Sequence, residues 1–277
     1  MVLFPNAKIN LGLRITSKRE DGYHDLNTVF FPIPMRDVLE VVSDPTPGQE
    51  WIKFTCSGLP IPGSTGSNLC IKAYHLLKKQ YPALPPILMH LHKHIPMGAG
   101  LGGGSADGAF MIRLLNEKYK LGMDDEMMKM HALELGSDCP FFIVNQPVQA
   151  NGRGEIMHAI HCSLSSKTIV LVCPGIHVST ADAFKQIKIS PSAMACSDIV
   201  SSPIEDWKNM LFNDFEGPVF NLYPEIGAIK EKLYAAGAVY ASMTGTGSTV
   251  FGIFDSAPGI DNLFPTNYLY AEFNIFH

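Results

Sequence analysis

The chain opens with a regular alternation of apolar and polar positions. Every second residue of the segment 7–15 is apolar, namely Ala7, Ile9, Leu11, Leu13 and Ile15. A period of two is typical of a β-strand, whose side chains point alternately to opposite faces. The sequence therefore predicts a strand here, and it places Lys8 and Asn10 on the same face of that strand.

Later segments change between this period and the helical one. Helices are predicted over 68–80, 105–118, 124–135 and 223–236. The first of them is expected to face inward with Leu69, Ala73, Leu76 and Leu77. Strands are predicted over 26–33, 38–42, 87–92 and 168–173, with two more inside 238–254.

The remaining segments are rich in turn-forming residues. We interpret 45–48 and 60–66 as turns, 145–168 as the passage between two halves, and 190–206 as a surface loop. Strands and helices do not alternate regularly along the chain. The order of elements therefore predicts an α+β fold rather than a doubly wound parallel sheet.

Five glycines are concentrated in residues 96–107, directly before the helix-like run 109–115. Glycine adopts backbone angles closed to other residues, and its main-chain N–H can approach a ligand without a Cβ in the way. The helix start adds N–H groups and partial positive charge, with Ser105 as the expected cap. The loop predicts a phosphate site and, first, a nucleotide polyphosphate. A flexible linker is the alternative, but Pro96 in front and an apolar helix behind are unusual for a linker.

Two commoner glycine motifs fit less well. Gly98, Gly100 and Gly103 match the spacing of the dinucleotide fingerprint, but the acidic residues about 20 positions later begin a helix instead of closing a second strand. The P-loop motif carries a lysine directly after its last glycine, where this chain has Ser105. The phosphates would therefore need a cation from elsewhere in the chain.

Length and composition narrow the class of protein. With 277 residues and 46% hydrophobic content, the chain can bury a large core, and we expect two compact domains. A net charge of −5 does not indicate the general basic character of a protein that binds nucleic acid. The six cysteines contain no C-x-x-C pair, which indicates reduced thiols and no disulfide framework. Without a membrane-length apolar run or a signal-peptide pattern, we expect a soluble, cytoplasmic protein.

Phosphoryl transfer requires neutralised charge and a carboxylate that receives the acceptor's proton. Asp138 is the best candidate carboxylate, because it lies in a turn after a predicted helix; the alternative is a cap of the short helix that Pro140 begins. Lys8 is the candidate cation; the alternative is an ordinary strand lysine facing solvent. A Lys8–Asp138 pair would keep the aspartate ionised and offset transition-state charge, worth roughly 3–4 kcal/mol per well-placed group.

Three further groups of residues are candidate parts of a site. Two of them have two open interpretations each, and for the third a structural role is favoured. Tyr23 and His24 follow a glycine in a loop, where they either hold a nucleobase or cover a core. The second glycine cluster, 245–249, either brings N–H groups to the phosphates or the acceptor, or forms a tight turn. His90, His92 and His94 share one face of a predicted strand, and a solvated or packed face is favoured over a metal site because no cysteine or supporting carboxylate lies nearby.

Taken together, several motifs resemble the superfamily of galactokinase, homoserine kinase, mevalonate kinase and phosphomevalonate kinase. The resemblance covers nearly the whole chain, and it is carried by segments 5–11, 21–24, 95–107 and 243–251. The glycine loop is specific to the superfamily. Ala-Lys-Ile-Asn-Leu at 7–11 and Asp-Gly-Tyr-His at 21–24 are similar to the member that phosphorylates a cytidylyl methylerythritol in the non-mevalonate isoprenoid pathway.

This resemblance implies a two-domain α+β fold with the active site in the cleft between the domains. The N-terminal domain would span 1–155 and hold the ATP loop and the catalytic pair, and the C-terminal domain would span 156–277. The implied reaction transfers the γ-phosphoryl group of ATP to the 2-hydroxyl of the substrate. The alternative is a homoserine or mevalonate kinase, and the Gly-Tyr-His sequence at 22–24 argues against this alternative.

The resemblance also implies roles for individual residues. Asp138 would be the catalytic base and Lys8 the lysine that supports it. Asn10, Tyr23 and His24 match the cytidine and acceptor side, with Phe184 as a second aromatic against the cytosine. The implied ATP-binding set comprises Lys93, Pro96, Met97, Gly98, Ala99, Gly100, Leu101, Gly102, Gly103, Gly104, Ser105 and Ala106.

The implied ligands are ATP as co-substrate and a cytidine-diphosphate-linked sugar alcohol. Mg²⁺ is expected because ATP normally carries it, although the motifs single out no protein ligand for the ion. No nucleic acid or membrane partner is expected. We expect a monomer or a weak homodimer.

Overall fold

The computed structural model describes residues 1–46, 48, 50–187, 189 and 194–275. Strands in this part of the chain are β1 Val2–Leu3, β2 Asn6–Lys18, β3 His24–Arg36, β4 Val38–Ser43, β5 Ile52–Gly58, β6 Ile87–Lys93, β7 Val148–Gly152, β8 Ile156–Ala159, β9 Thr168–Cys173, β10 Tyr240–Met243, β11 Val250–Phe254 and β12 Leu269–Asn274. Helices are α1 Leu69–Gln80, α2 Gly103–Tyr119, α3 Asp125–Leu135, α4 Cys139–Val144, α5 Thr180–Lys185, α6 Cys196–Val200, α7 Ile204–Met210, α8 Glu216–Leu222 and α9 Pro224–Ala235.

The chain forms two compact units, and each takes up several segments. The first unit comprises Met1–Lys8, Pro32–Met97 and Gly102–Gln146. The second comprises Ile9–Phe31, Gly98–Leu101 and the described residues from Pro147 on. The domain boundary expected between residues 155 and 156 stays a prediction. Mixed strands and helices in both units agree with the predicted α+β class.

In the first unit, a four-stranded sheet has the order β1-β4-β6-β5. β6 pairs antiparallel with β4 and parallel with β5, so the sheet is mixed. The helices α1, α3 and α4 pack against α2. The middle of α2 is completely buried from Ala109 to Ile112, apart from Phe110 at 6% exposure, as expected for a central helix that is apolar on every side.

The second unit contains the antiparallel sheet β10-β11-β9-β12. α9 packs on β10 and β11 and presents Ile226, Ile229 and Leu233 to the core. Leu13 and Ile15 of β2 belong to the same hydrophobic cluster. Another sheet has the order β2-β3-β7-β8, with β7 paired to β3 and β8.

Most of the predicted elements are confirmed. The alternating segment is β2, the expected helices are α1, α2, α3 and α9, and the segment 238–254 contains β10 and β11. Of the four residues expected to face inward from α1, Ala73 and Leu77 are buried, whereas Leu69 and Leu76 are only half-buried. Cys70, Ile71 and Tyr74 are buried in their place, so the packed face of α1 is rotated from the predicted one.

Several expectations are wrong. Segment 145–168 is not a bare passage, because it forms β7 and β8. Within 190–206, residues 190–193 lie outside the described residues, but the rest is not a surface loop: α6 and the start of α7 lie here, and Cys196 and Ile199 are buried. β5 was not predicted between the two turns, and residue 47 of the first turn lies outside the described residues.

Two expectations from composition can be compared with the structure. All six cysteines are free thiols, as the lack of paired spacing indicated. Among the described residues, no helix combines the length and the apolar character that a bilayer crossing requires.

A buried carboxylate joins three elements of the second unit. Glu216, the first residue of α8, accepts hydrogen bonds from Ser242 Oγ at 3.0 Å and from the Met243 N–H at 2.9 Å through its Oε1. Its Oε2 accepts from Lys230 Nζ at 2.6 Å. Glu216 therefore holds α8, β10 and α9 together through charge-assisted hydrogen bonds.

We expect Glu216→Ala to lower the free energy of unfolding by about 2–3 kcal/mol, because it leaves a buried hydroxyl and a buried N–H without their acceptor. Urea denaturation followed by circular dichroism measures this. Glu231→Ala is the control, since Glu231 is exposed on α9, and it should change the free energy by less than about 0.5 kcal/mol. A Glu216→Ala protein as stable as this control would show that the network is energetically neutral.

Candidate active site

The site begins with a buried lysine. Lys8 lies on β2 in the first unit, and its Nζ is 3.8 Å from Asp138 Oδ2. The lysine side chain is 5% exposed and the aspartate side chain 36%. Burial lowers the pKa of Lys8 below its ordinary value of 10.5, and the Asp138 carboxylate opposes that change. The structure thus brings the two predicted catalytic residues together, with one ionic group buried and the other open to solvent.

Asp138 occupies the N-cap position of α4, but its side chain makes no capping hydrogen bond. Its backbone is helical, with φ −81° and ψ −18°, which is unlike the extended conformation of a typical cap residue. The structure therefore disagrees with the alternative in which Asp138 serves only as a cap. Beside it, burial raises the pKa of the Cys139 thiol to about 12, and a hydrogen bond with Ser105 opposes this rise.

The glycine loop has left-handed backbone at alternate positions. Gly98, Gly100 and Gly102 have φ values of 68°, 81° and 72°. In the second unit, a Cβ on Gly100 would lie 2.1 Å from the carbonyl oxygen of Thr244. In the first unit, a Cβ on Gly102 would lie 2.9 Å from Phe142 Cζ. Both positions therefore require glycine for conformation and for space.

The helix start differs in one detail from the expectation. Gly102, and not Ser105, is the N-cap residue of α2, so no side chain caps this helix. The carbonyl of Gly102 accepts the first helical hydrogen bond, from the Ala106 N–H at 2.9 Å. Gly103, Gly104 and Ser105 thus form the first turn, where main-chain N–H groups and the helix dipole favour an anion.

The remaining members of the predicted ATP set differ in exposure. Met97 and Gly98 are exposed, Pro96 is half-buried, and Ala99 and Leu101 are buried. Lys93 is buried completely, and its Nζ contacts Asp37 Oδ2 and lies 2.8 Å from Asp107 Oδ2. Burial lowers the pKa of Lys93, but the two carboxylates outweigh burial and raise it overall. The ammonium of Lys93 is therefore held by protein groups in this structure.

Asn10 is also buried, at 1% exposure, in the second unit. Its Nδ2 donates to Thr28 Oγ1 at 3.0 Å, and its Oδ1 accepts from the Gly245 N–H at 3.0 Å. The Asn10 N–H donates to Thr244 Oγ1 at 3.0 Å. Asn10 thus connects β2 to β3 and to the turn after β10, which begins the second glycine cluster.

Three predicted aromatic residues lie in the second unit. His24 stacks on Phe184 with ring centroids 4.8 Å apart and 21° between the planes. Phe184 in turn contacts the buried ring of Phe215 edge-on at 4.8 Å. Tyr23 is 58% exposed, and the Arg153 guanidinium lies 5.1 Å from the centroid of its ring. The unit therefore presents an exposed ring next to a stacked pair fixed on the core, which suits a planar ligand.

The predicted strand histidines have a plain structural role. Ser57 Oγ lies 2.9 Å from His90 Nε2 and 2.9 Å from His92 Nδ1, and Thr55 Oγ1 lies 2.8 Å from His90 Nδ1. These contacts join β6 to β5 across the sheet. Among the described residues, no group of three or more His, Cys, Asp or Glu side chains could hold a metal ion.

Sequence reasoning missed several polar residues of this region. Asp37 and Asp107 hold Lys93, Thr244 holds Asn10, and Asn213 donates to the carbonyls of Met243 at 2.7 Å and Gly245 at 2.9 Å. Asp107 follows the glycine loop directly and could have been noticed there. Thr244 lies in segment 243–251, which carries part of the resemblance, but its pairing with Asn10 left no local signal. The partners of Asp37 and Asn213 are likewise distant in sequence.

Comparison with known proteins identifies the family of this chain. The family model described as "GHMP kinases N terminal domain" matches residues 68–146, and the model described as "GHMP kinases C terminal" matches residues 197–263. A 4-diphosphocytidyl-2-C-methyl-D-erythritol kinase from Bacteroides fragilis is 52% identical over 254 residues, which are 92% of this chain and 92% of that protein.

Two solved structures extend the comparison. The crystal structure of 4-(cytidine 5'-diphospho)-2C-methyl-D-erythritol kinase is 30% identical, with a TM-score of 0.78 over 91% of this chain and 89% of that one. A homoserine kinase from Cytophaga hutchinsonii has a TM-score of 0.65 over 97% and 94% of the two chains at 15% identity, which shows the fold alone. The chain therefore belongs to the 4-diphosphocytidyl-2-C-methyl-D-erythritol kinase family of the GHMP kinases.

Proposed function

We propose that this chain transfers the γ-phosphoryl group of ATP to the 2-hydroxyl of 4-diphosphocytidyl-2-C-methyl-D-erythritol, with Lys8 and Asp138 at the reacting atoms. The reaction gives the 2-phosphate and ADP, and it serves isoprenoid precursor synthesis by the non-mevalonate pathway. The observation that carries the proposal is the distance of 3.8 Å between the Lys8 ammonium and the Asp138 carboxylate. Homoserine and mevalonate kinase activities are the alternatives. The homoserine kinase structure compared above is 15% identical to this chain, against 52% for the Bacteroides fragilis 4-diphosphocytidyl-2-C-methyl-D-erythritol kinase.

The two residues divide the chemical work. Asp138 accepts the proton of the 2-hydroxyl as the oxygen attacks the γ-phosphorus, and the bond between that phosphorus and the bridging oxygen of ADP breaks. Lys8 lies beside Asp138 and offsets the negative charge that gathers in the transition state. Because Lys8 is buried, its charge is weakly screened there.

ATP is proposed to bind along Lys93 and residues 96–106. The exposed Met97 and Gly98 and the first turn of α2 support this, since they offer N–H groups and the positive end of a helix dipole to phosphates. Mg²⁺ is expected to enter with ATP, because phosphates together with one or two carboxylates commonly hold this ion. We propose no protein ligand for it.

The cytidine side is proposed to involve Asn10, Tyr23, His24 and Phe184. Tyr23 and the His24–Phe184 pair offer ring faces for a cytosine, which supports this assignment. Asn10 is buried and bonded to three protein groups, so its support is indirect: it holds the turn at Gly245. A cleft between the domains, a cytoplasmic location, the absence of a nucleic-acid partner, and a monomer or weak homodimer remain proposals.

Asp138→Ala should lower kcat by at least ~10³-fold while ATP still binds, because the proton acceptor is lost and the phosphate loop is not. A coupled assay for ADP release measures this, with homoserine and mevalonate run beside the cytidylyl substrate. Asp125→Ala is the control, since Asp125 is an exposed aspartate at the start of α3. Near-normal turnover by Asp138→Ala would place the base elsewhere, and turnover of homoserine or mevalonate alone would reassign the substrate.

The value of kcat should begin to fall at a pH below 10.5 as the solution is made more alkaline. Burial lowers the pKa of Lys8, so its ammonium loses a proton at a lower pH than an exposed lysine would, and activity that needs the charge falls as pH rises through that pKa. Lys8→Arg should remove this alkaline decline at a reduced kcat, because a guanidinium stays protonated. Identical alkaline limbs for both proteins would show that Lys8 does not titrate in the rate-limiting step.

Tyr23→Ala should raise the KM for the cytidylyl substrate by about tenfold and leave the KM for ATP within about twofold, because it removes a stacking face from one ligand only. Tyr23→Phe keeps the ring and should keep the KM near that of the unmodified enzyme. Initial rates with each substrate varied in turn provide both constants. An unchanged KM for the cytidylyl substrate in Tyr23→Ala would remove this residue from the site.

A further inference from the structure

Three ionisable side chains lie together in the core of the first unit and take no part in the proposed proton transfer. Lys93 Nζ contacts Asp37 Oδ2 and is 2.8 Å from Asp107 Oδ2. The side chains of Lys93 and Asp37 are 0% exposed, and that of Asp107 is 5% exposed. Buried charges of this kind are costly, so their position needs a reason beyond stability.

Asp37 holds the chain where it enters the glycine loop. Its Oδ1 accepts hydrogen bonds from the His94 N–H at 2.5 Å and from the Ile95 N–H at 2.8 Å. These are the last two residues before Pro96. Together with the contact to Lys93, the carboxylate of Asp37 fixes three consecutive residues at the loop entrance.

Asp107 holds the chain where it leaves the loop. It lies in the second turn of α2, and its Oδ2 accepts from the same ammonium that Asp37 holds. The first residue of the helix lies against this group as well: a Cβ on Gly103 would be 3.3 Å from Lys93 Nζ and 2.8 Å from Ile95 Cγ2. A single ammonium therefore connects the entrance and the exit of the loop.

The main chain of Lys93 is also anchored from the neighbouring strand. The Leu59 N–H donates to the Lys93 carbonyl at 2.9 Å, and Gly58 pairs with Lys93 in the register of β5 and β6. Both the backbone and the side chain of Lys93 are thus fixed. Because the Lys93 ammonium is fixed in position, its contacts with Asp37 and Asp107 can hold the entrance and the exit of the loop.

The charge balance agrees with a structural use of the ammonium. Burial, and then the neighbouring Asp37 carboxylate, raise the pKa of Asp107 to about 8, against the opposing effect of Lys93. Asp107 Oδ1 is buried and has no hydrogen-bond partner among the described residues. The side chains of Asp37 and Asp107 thus share one ammonium, which is already held by protein groups.

We propose that Asp37 and Asp107 are positioning residues of the ATP site, which act through Lys93 to hold both ends of the phosphate loop in place before ATP binds. The inference rests on the proposed assignment of residues 96–106 to ATP phosphates. It gives Lys93 an indirect part in nucleotide binding. Because a loop that is already ordered loses less conformational freedom on binding, this arrangement raises the affinity for ATP and leaves the acceptor side unaffected.

Asp37→Asn tests the entrance of the loop. An amide has one acceptor oxygen, so it cannot serve the His94 and Ile95 N–H groups and also the Lys93 ammonium. We expect the Kd of a non-hydrolysable ATP analogue with Mg²⁺, measured by titration calorimetry, to rise at least ~10-fold. The Kd of the cytidylyl substrate should stay within about twofold.

A pair of variants at Asp107 tests the exit. Asp107→Asn keeps an acceptor oxygen for Lys93 and should raise the Kd of the ATP analogue by less than about threefold, whereas Asp107→Leu removes the acceptor and should raise it about tenfold. Glu40→Gln is the control, because Glu40 is an exposed residue of β4 outside the site. A purely structural role would instead lower the thermal midpoint and weaken both ligands equally, and that result would overturn the proposal.

The unmodified protein provides a measurement that does not depend on whether variants fold. Without ATP, the N–H groups of His94 and Ile95 should exchange with deuterium at least ~100-fold more slowly than in an unfolded chain. Rapid exchange there, or an unchanged analogue Kd in folded Asp37→Asn, would overturn the proposal. Since both readouts need no phosphoryl transfer, failure of the proposed reaction would appear separately, as analogue binding without turnover of the cytidylyl substrate.

Discussion

The burial of the Lys8 ammonium is the constraint on which the candidate site depends. An ionic group taken out of water is costly unless a partner accepts it, and the same low dielectric that makes it costly strengthens its effect on nearby charge. Lys8 has such a partner and such surroundings, because its side chain is 5% exposed and its Nζ lies 3.8 Å from Asp138 Oδ2. Asp138 lies at the start of α4, and its side chain makes no capping hydrogen bond there.

Lys8 and Lys93 are both buried strand lysines, and their surroundings give them different uses. The two carboxylates around Lys93 raise its pKa and are themselves inaccessible. Burial lowers the pKa of Lys8, and its partner Asp138 is 36% exposed. A carboxylate that solvent reaches can also meet a substrate hydroxyl, whereas an enclosed one can only hold its neighbours. The exposure of the partner, more than the burial of the lysine, therefore separates the chemical role proposed for Lys8 from the structural role proposed for Lys93.

Local patterns predicted the parts of the fold that are long and periodic. β2, α2, α3 and α9 are recognisable because apolar positions repeat over ten or more residues. β8 and α6 are only four and five residues long, too short for a period to appear, and β5 is mostly exposed. Serine- and proline-rich composition suggested a loop at 190–206. In its described part, 194–206, burial of Cys196 and Ile199 orders the chain instead, because tertiary packing overrides weak local preference.

The site was predictable to the extent that a local motif carries it. The glycine loop, Lys8 and Asp138 follow from their immediate neighbours, and so do Tyr23 and His24. The pairing of distant residues gave no such signal: Asn10 and Thr244 are 234 positions apart, and Lys93 and Asp37 are 56 apart. A single sequence records the residues but not the pairing, which the folded backbone determines.

The glycines of the phosphate loop show how packing and binding act on the same positions. A phosphate cradle alone requires main-chain N–H groups that can point at an anion, and several loop conformations provide them. Gly100 is restricted further, because the Thr244 carbonyl lies where its Cβ would be, and Gly102 because Phe142 and the Lys8 side chain lie close to it. A Cβ on Gly102 would lie 3.2 Å from Lys8 Cγ, so this glycine also packs against the lysine that is proposed to be catalytic. The spacing of glycines in this motif is therefore set by the groups packed behind the loop as much as by any ligand in front of it.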